Sequence, residues 1–169
     1  MTEFSVEGPF PVKPFIKGNC KFIGRSEARD FFKKHNKYSR RNGVYVFGKR
    51  TRSIVPYYIG MTTRGFSKEV FCDRNLVTFN EVIIKNGNGT PVIFFVPLPI
   101  QRGPDHVRHI GELENYLIYH SNHAWGTLLN EKKVNTLKQS NGWCINGIYN
   151  GNRKGITSAE RSFKQILKL

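Results

Sequence analysis

Acidic residues are scarce in this 169-residue chain: 12 Asp and Glu stand against 27 Lys and Arg, a formal net charge of +15. Cysteine is scarcer still, with Cys20, Cys72 and Cys144 far apart and in no CxxC spacing. That excludes a disulfide framework and a cysteine zinc site, and it suits a reducing compartment. No stretch approaches the roughly 18 consecutive apolar residues that a membrane span needs. The first residues, Met1-Thr2-Glu3-Phe4-Ser5, carry an acidic side chain and no apolar signal-peptide run. A cytoplasmic protein without membrane association is the expectation. A basic amphipathic helix is also lacking, which removes an anionic membrane surface as the reason for the charge.

What remains is a foldable, strongly basic chain. Hydrophobic residues make up 38% and aromatics 13%, enough for one packed domain over residues 1–169. The sequence pI is about 10.0, and so large an excess of one sign opposes compaction by self-repulsion unless a polyanion is the partner. Nucleic acid is the expected partner.

The chain centres on two short runs, Gly43-Val44-Tyr45-Val46-Phe47 and Tyr57-Tyr58-Ile59-Gly60-Met61, joined by the basic loop 48–53. Their β-branched and aromatic content predicts an antiparallel hairpin, with Pro56 at the start of the second strand. Alternation puts Val44 and Val46 on one face and Tyr45 and Phe47 on the other, one face for core and one for a site. Around the hairpin, residues 1–22 are Pro- and Phe-rich and read as an extended wrap. Ser26 caps a helix that ends in the basic run Tyr38–Arg41, Gly65 closes a turn, and Ser67 caps a further helix. Leu76, Phe79, Val82 and Ile83 show a helical period, Pro91–Leu98 is a central strand covered on both sides, and Gln101–His106 is a polar loop. Trp143–Tyr149 is a strand or irregular core segment. Thr157 and Glu160 have capping-box spacing ahead of a last amphipathic helix through Leu169.

The helix Ile110–His123 carries the most information. Measured from Glu114 at 100° per residue, Ile110, Leu117 and Ile118 lie within about 60°, so a carboxylate sits inside the apolar stripe. Such a group needs a cation. Either a Lys or Arg side chain pairs with it, or it serves as a metal ligand or acid–base group at the floor of a cleft. The pairs His106/His109 and His120/His123 lack a third ligand at recognisable spacing and read as surface histidines.

Gly43-Val44-Tyr45, Tyr58-Ile59-Gly60, Glu114-Asn115-Tyr116-Leu117-Ile118 and Leu129-Asn130, in that order, resemble the motifs of the GIY-YIG nuclease family over about residues 43–130. The resemblance implies an α/β (α+β) domain whose central three-stranded antiparallel sheet is flanked by helices, with 1–42 and 131–169 as extensions. It also implies divalent-metal-dependent hydrolysis of phosphodiesters, with Glu114 holding Mg²⁺ or Mn²⁺ and Asn130 in the site. Lys68 stands where the family usually has Arg, and Cys72 where it often has His. Lys68 and Arg74 are therefore expected to share the phosphate, with Arg64 in reserve. Tyr45 would orient or deprotonate the water, and Tyr58 would support it. A phenol of pKa about 10 needs a downward shift of about 2.5 units to act near pH 7.5.

Arg40, Arg41, Lys49, Arg50, Arg52, Lys132 and Lys133 are the expected nucleic-acid contacts. The expected activity is a DNA endonuclease, restriction-like or repair-like, acting on double-stranded DNA. One active site cuts one strand, so duplex cleavage requires a homodimer or sequential nicking. The alternative is a non-catalytic basic nucleic-acid-binding module that retains the fold.

Overall fold

The computed structural model describes residues 1–85, 87–100, 105–130, 132, 134–137, 142–151 and 155–169, without the side chains of residues 105 and 106. At its centre lie strands β5 (Gly43–Arg50) and β6 (Ile54–Thr62), the expected hairpin, with a turn of only Thr51-Arg52-Ser53. Both strands are longer than the apolar runs because the basic residues of the loop continue the ladder as far as Arg50. Pro56 lies inside β6, at a bulge where Phe47 pairs with Tyr58 and Gly48 with Pro56. β6 is an edge strand, and a missing N–H is tolerated at an edge or a bulge.

Strand β7 (Thr90–Pro97) pairs along the other side of β5, and seven of its eight residues are buried, as its uninterrupted apolar run requires. The N-terminal segment departs from expectation. Part of it forms β2 (Glu7–Pro11), which pairs antiparallel with β7, so the central sheet has four strands in the order β2-β7-β5-β6 and not three. Another part, β1 (Thr2–Phe4), pairs in parallel with β8 (Trp143–Ile145). A small hairpin joins β3 (Phe15–Lys17) to β4 (Cys20–Phe22). Extended, Pro-rich sequence hides β1 and β2 because their pairing partners come from about 80 to 140 residues away.

Six helices cover the sheet. On one face α1 (Arg25–Lys34), α2 (Asn36–Ser39), α3 (Phe66–Glu69) and α4 (Asp73–Lys85) bury Phe31, Phe66, Phe71 and Phe79 against Tyr45, Phe47 and Phe95. On the other, α5 (Asp105–Trp125) and α6 (Ser158–Leu167) pack Ile110, Leu113, Leu117 and Phe163 onto Val44, Val46 and Phe94. The Tyr45 face is therefore core as well: the Phe47 and Phe79 rings stack at 3.9 Å and 5°. Each such ring removed from water contributes about 1.5–3 kcal/mol.

Helix starts follow backbone geometry. Gly24 caps α1 in place of Ser26, because Glu27 Oε2 reaches back to accept from the Gly24 N–H at 2.9 Å. Gly65 caps α3 in place of Ser67, whose hydroxyl donates to the Ser39 carbonyl. The Thr157–Glu160 capping box forms with both of its bonds. The expected loop before α5 yields to helix from Asp105 onward. Among the described residues no helix is long and apolar enough to cross a membrane.

Candidate functional site

A cavity of about 200 Å³ opens where β6, α4, α5 and the segment after α5 converge, lined among others by Tyr58, Arg74, Asn75, Glu114, Asn130 and Lys132. Tyr58 projects from β6, half-buried. Behind it the Tyr45 ring packs at 6.2 Å and 30°, fully buried. Asn75 Nδ2 donates to the Tyr45 hydroxyl at 2.7 Å and to the Glu69 carbonyl at 2.8 Å. The Tyr45 hydroxyl in turn serves Tyr58 as a hydrogen-bond partner. A chain of hydrogen bonds thus runs from the Asn75 amide through the Tyr45 hydroxyl to that of Tyr58, ending at the cavity.

The two phenols differ in kind. Burial pushes the Tyr45 hydroxyl far above the ordinary tyrosine range, and the neighbouring Tyr58 adds to this. Tyr45 lies behind Tyr58 and outside the cavity lining, so of the two phenols Tyr58 is the one that reaches the cavity. Burial also raises Tyr58; the Arg74 guanidinium offsets part of the rise, the Glu114 and Cys72 charges add to it, and the hydrogen bond with Tyr45 eases it, so the hydroxyl stays above the ordinary tyrosine value. Neither phenol shows the expected downward shift.

Arg74 lines the cavity, while its partner Glu69 lies just outside. The Glu69 carboxylate is 3.6 Å from Arg74 and 3.0 Å from Arg64, and its side chain is only 15% exposed. It holds two exposed guanidinium groups at the mouth. Lys68 is exposed on α3 and, like Arg64, lies outside the cavity lining, so of the three expected cations Arg74 is the one brought to the cavity. Sequence reasoning missed Glu69 and Asn75. Asn75 shares a helical face with Phe79 and Val82, so a polar residue on an apolar stripe marks it, as it marks Glu114. Its Oδ1 is buried without a partner in the described structure.

Glu114 lies at the cavity floor, 9% exposed, and accepts from Lys132 Nζ at 2.7 Å. Lys132, half-exposed, thus lines the site beside Glu114. Asn130 works on the backbone: its Oδ1 accepts from the Ile59 N–H at 3.0 Å and its Nδ2 donates to the Ile59 carbonyl at 2.5 Å. With Leu129 N–H on the Tyr57 carbonyl and Thr127 Oγ1 on the Pro56 carbonyl, residues 127–130 close the open edge of β6. The Asn side chain imitates a neighbouring strand next to Tyr58 and also lines the cavity.

Both motif glycines have steric causes. Gly43 adopts φ +148° and a Cβ there would run into the Val96 carbonyl oxygen. Gly60 lies directly across from Tyr45, and a Cβ would collide with the end of its ring. Gly60→Ala is expected to destabilise the fold by about 1–3 kcal/mol through overpacking and to displace Tyr45. Chemical denaturation followed by tyrosine fluorescence measures both.

The remaining expected nucleic-acid contacts divide. Arg40, Arg50 and Arg52 are exposed. Arg41 is half-buried and donates to the Leu98 carbonyl at 2.6 Å, joining β5 to the end of β7. Lys49 is 4% exposed, with Nζ on the Gly87 carbonyl, so it is a buried structural cation and not a surface contact. Lys133 lies outside the described residues. His109 is buried against Thr2 Oγ1 at 2.9 Å, contrary to its surface reading, and the half-buried His120 ring packs on Tyr116. His106 has no described side chain.

Among the described residues no three His, Cys, Asp or Glu side chains gather as a metal cage. The site fits a hard divalent ion in a different mode, in which one carboxylate, several waters and substrate phosphate oxygens complete the shell. Glu114 is the carboxylate in the cavity, and its present cation, Lys132, is half-exposed on a segment outside any helix or strand. No protein-family model, curated protein or solved structure matches this chain, so the chemistry of the site rests on its own residues.

Proposed function

We propose that this chain is a metal-dependent endonuclease of the GIY-YIG type that hydrolyses phosphodiester bonds in DNA. The observation that carries this reading is the meeting of Tyr58, Arg74 and Glu114, from three separate elements, around one small cavity in a chain of net charge +15. Phosphodiester hydrolysis needs an oriented water, relief of charge on the phosphoryl oxygens and stabilisation of the leaving oxygen. Tyr58 orients the water and accepts its proton, supported by the donor Tyr45. Arg74 offsets charge on the phosphate at the cavity mouth, with Glu69 fixing its direction. Glu114 would hold Mg²⁺ or Mn²⁺, which supplies charge neutralisation at the scissile phosphate. Lys132 then turns from the carboxylate towards the substrate backbone. Duplex cleavage requires a second copy of this site or a second nick.

A second reading, the non-catalytic nucleic-acid-binding module, is favoured by the 2.7 Å Glu114–Lys132 pair, which satisfies the carboxylate without a metal. Plasmid nicking separates the two. The endonuclease converts supercoiled to relaxed circles in Mg²⁺ and ceases in EDTA. A binding module retards the plasmid in both and cuts in neither.

A further inference from the structure

A second and larger cleft lies apart from the cavity at Tyr58. It has a volume of about 850 Å³ and lies between α1 and the corner formed by α3 and α4. Arg25, Arg29 and Lys33 line it from α1 at steps of four residues, so the three cations follow one wall about 6 Å apart. Its floor is apolar: Ala28, Phe32 and Phe71, the two rings meeting edge to face at 5.8 Å. Arg25 is paired with Asp73 and Lys33 with Asp30, all four side chains at least 69% exposed, and pairs so exposed give way readily to a phosphate. No step of the proposed chemistry uses this cleft.

We propose that this cleft binds an unpaired strand of nucleic acid leading into the cavity at Tyr58, an inference that rests on the endonuclease reading. A cation row beside an apolar aromatic floor is what sequence-tolerant binding of single strands uses, the cations following phosphates while base faces cover the floor. A duplex hides its base faces and leaves such a floor uncovered. The cleft and the cavity are lined by consecutive residues of one segment. Cys72 and Asp73 line the cleft, and Arg74 and Asn75 line the cavity. A strand on α1 is thereby delivered to Arg74. The substrate class is a nucleic acid with a single-stranded portion next to the cut, which a negatively supercoiled plasmid supplies at transiently unpaired stretches and a relaxed blunt duplex does not.

The test is fluorescence anisotropy on the full chain in EDTA, with labelled oligothymidylate and oligouridylate of about 20 nucleotides and a blunt duplex of equal length. Arg25→Ala/Arg29→Ala/Lys33→Ala should lose at least about tenfold in affinity for the single strands, and the salt slope should fall by about 2, at about 0.7 per phosphate contact. Duplex affinity should change less than about threefold. Ala28→Trp, which fills the floor and keeps every charge, should weaken single-strand binding without changing the slope. Both variants are first checked for native circular dichroism. Equal loss on duplex and single strands, or single-strand binding unchanged in both variants, overturns the proposal. Comparison of the two homopolymers tells which sugar the cleft accepts. If nicking is absent while the selective loss appears, the endonuclease reading fails and the cleft stands; if nicking occurs and the loss does not, the cleft fails alone.

Discussion

Glu114→Gln is expected to lose Mg²⁺-dependent nicking by at least about 10²-fold while binding DNA as tightly as the unaltered chain. Glutamine keeps the shape of the side chain and an oxygen for Lys132 Nζ, which lies 2.7 Å away, but it removes the anionic ligand a hard cation requires. The companion variant Lys132→Met separates this from a packing role. If the pair only satisfies a buried charge, Lys132→Met leaves Glu114 uncompensated and destabilises at least as much as Glu114→Gln, and neither touches turnover. If Glu114 holds the metal, Lys132→Met keeps cleavage dependent on Mg²⁺ while Glu114→Gln does not. Full nicking by Glu114→Gln sinks the metal assignment.

The second large effect lies at Tyr58. Tyr58→Phe removes the hydroxyl that exchanges a proton with water and should lower turnover by about 10²-fold or more. Tyr45→Phe should cost less, roughly tenfold, because Tyr45 acts through Tyr58 and not on the substrate. The sign of the pH dependence follows from the environment. Burial holds the Tyr58 hydroxyl above the ordinary value near 10, so the ionised fraction, and with it turnover, should climb as pH rises from about 7 to about 10. Arg74 favours that ionisation by lowering the pKa, so in Arg74→Ala the climb moves to higher pH and turnover at neutral pH falls. Lys68→Met, outside the cavity, should leave the profile in place. A flat profile in the unaltered chain, unmoved in Arg74→Ala, rules Tyr58 out as the base.

These expectations draw on very different amounts of sequence information. The hairpin was legible because period-2 alternation and β-branched content act locally, and the same holds for the buried run of β7 and the capping box of α6. Glu114 was legible as a carboxylate inside a helical apolar stripe, a conflict that a single helix already displays. Counting positions along the chain to Lys68 assumes one continuous helix after the second motif. Here α3 ends at Glu69, and the chain turns before α4 begins at Asp73. That break swings Lys68 to solvent and brings Arg74 to Tyr58.

The hairpin, the buried run of β7, the main helices, the net charge of +15 and one costly carboxylate were legible in the sequence, because each is a local pattern or a simple sum. Which groups meet depended on the packed fold. It gave the sheet a fourth strand from residues 7–11, buried Tyr45 behind Tyr58, and turned Asn130 into a substitute strand for Ile59. It also set Lys132 against Glu114 and placed a basic cleft beside the cavity. Each of these depends on contacts between residues about 18 to 90 positions apart, and on the desolvation they create, which no local pattern encodes.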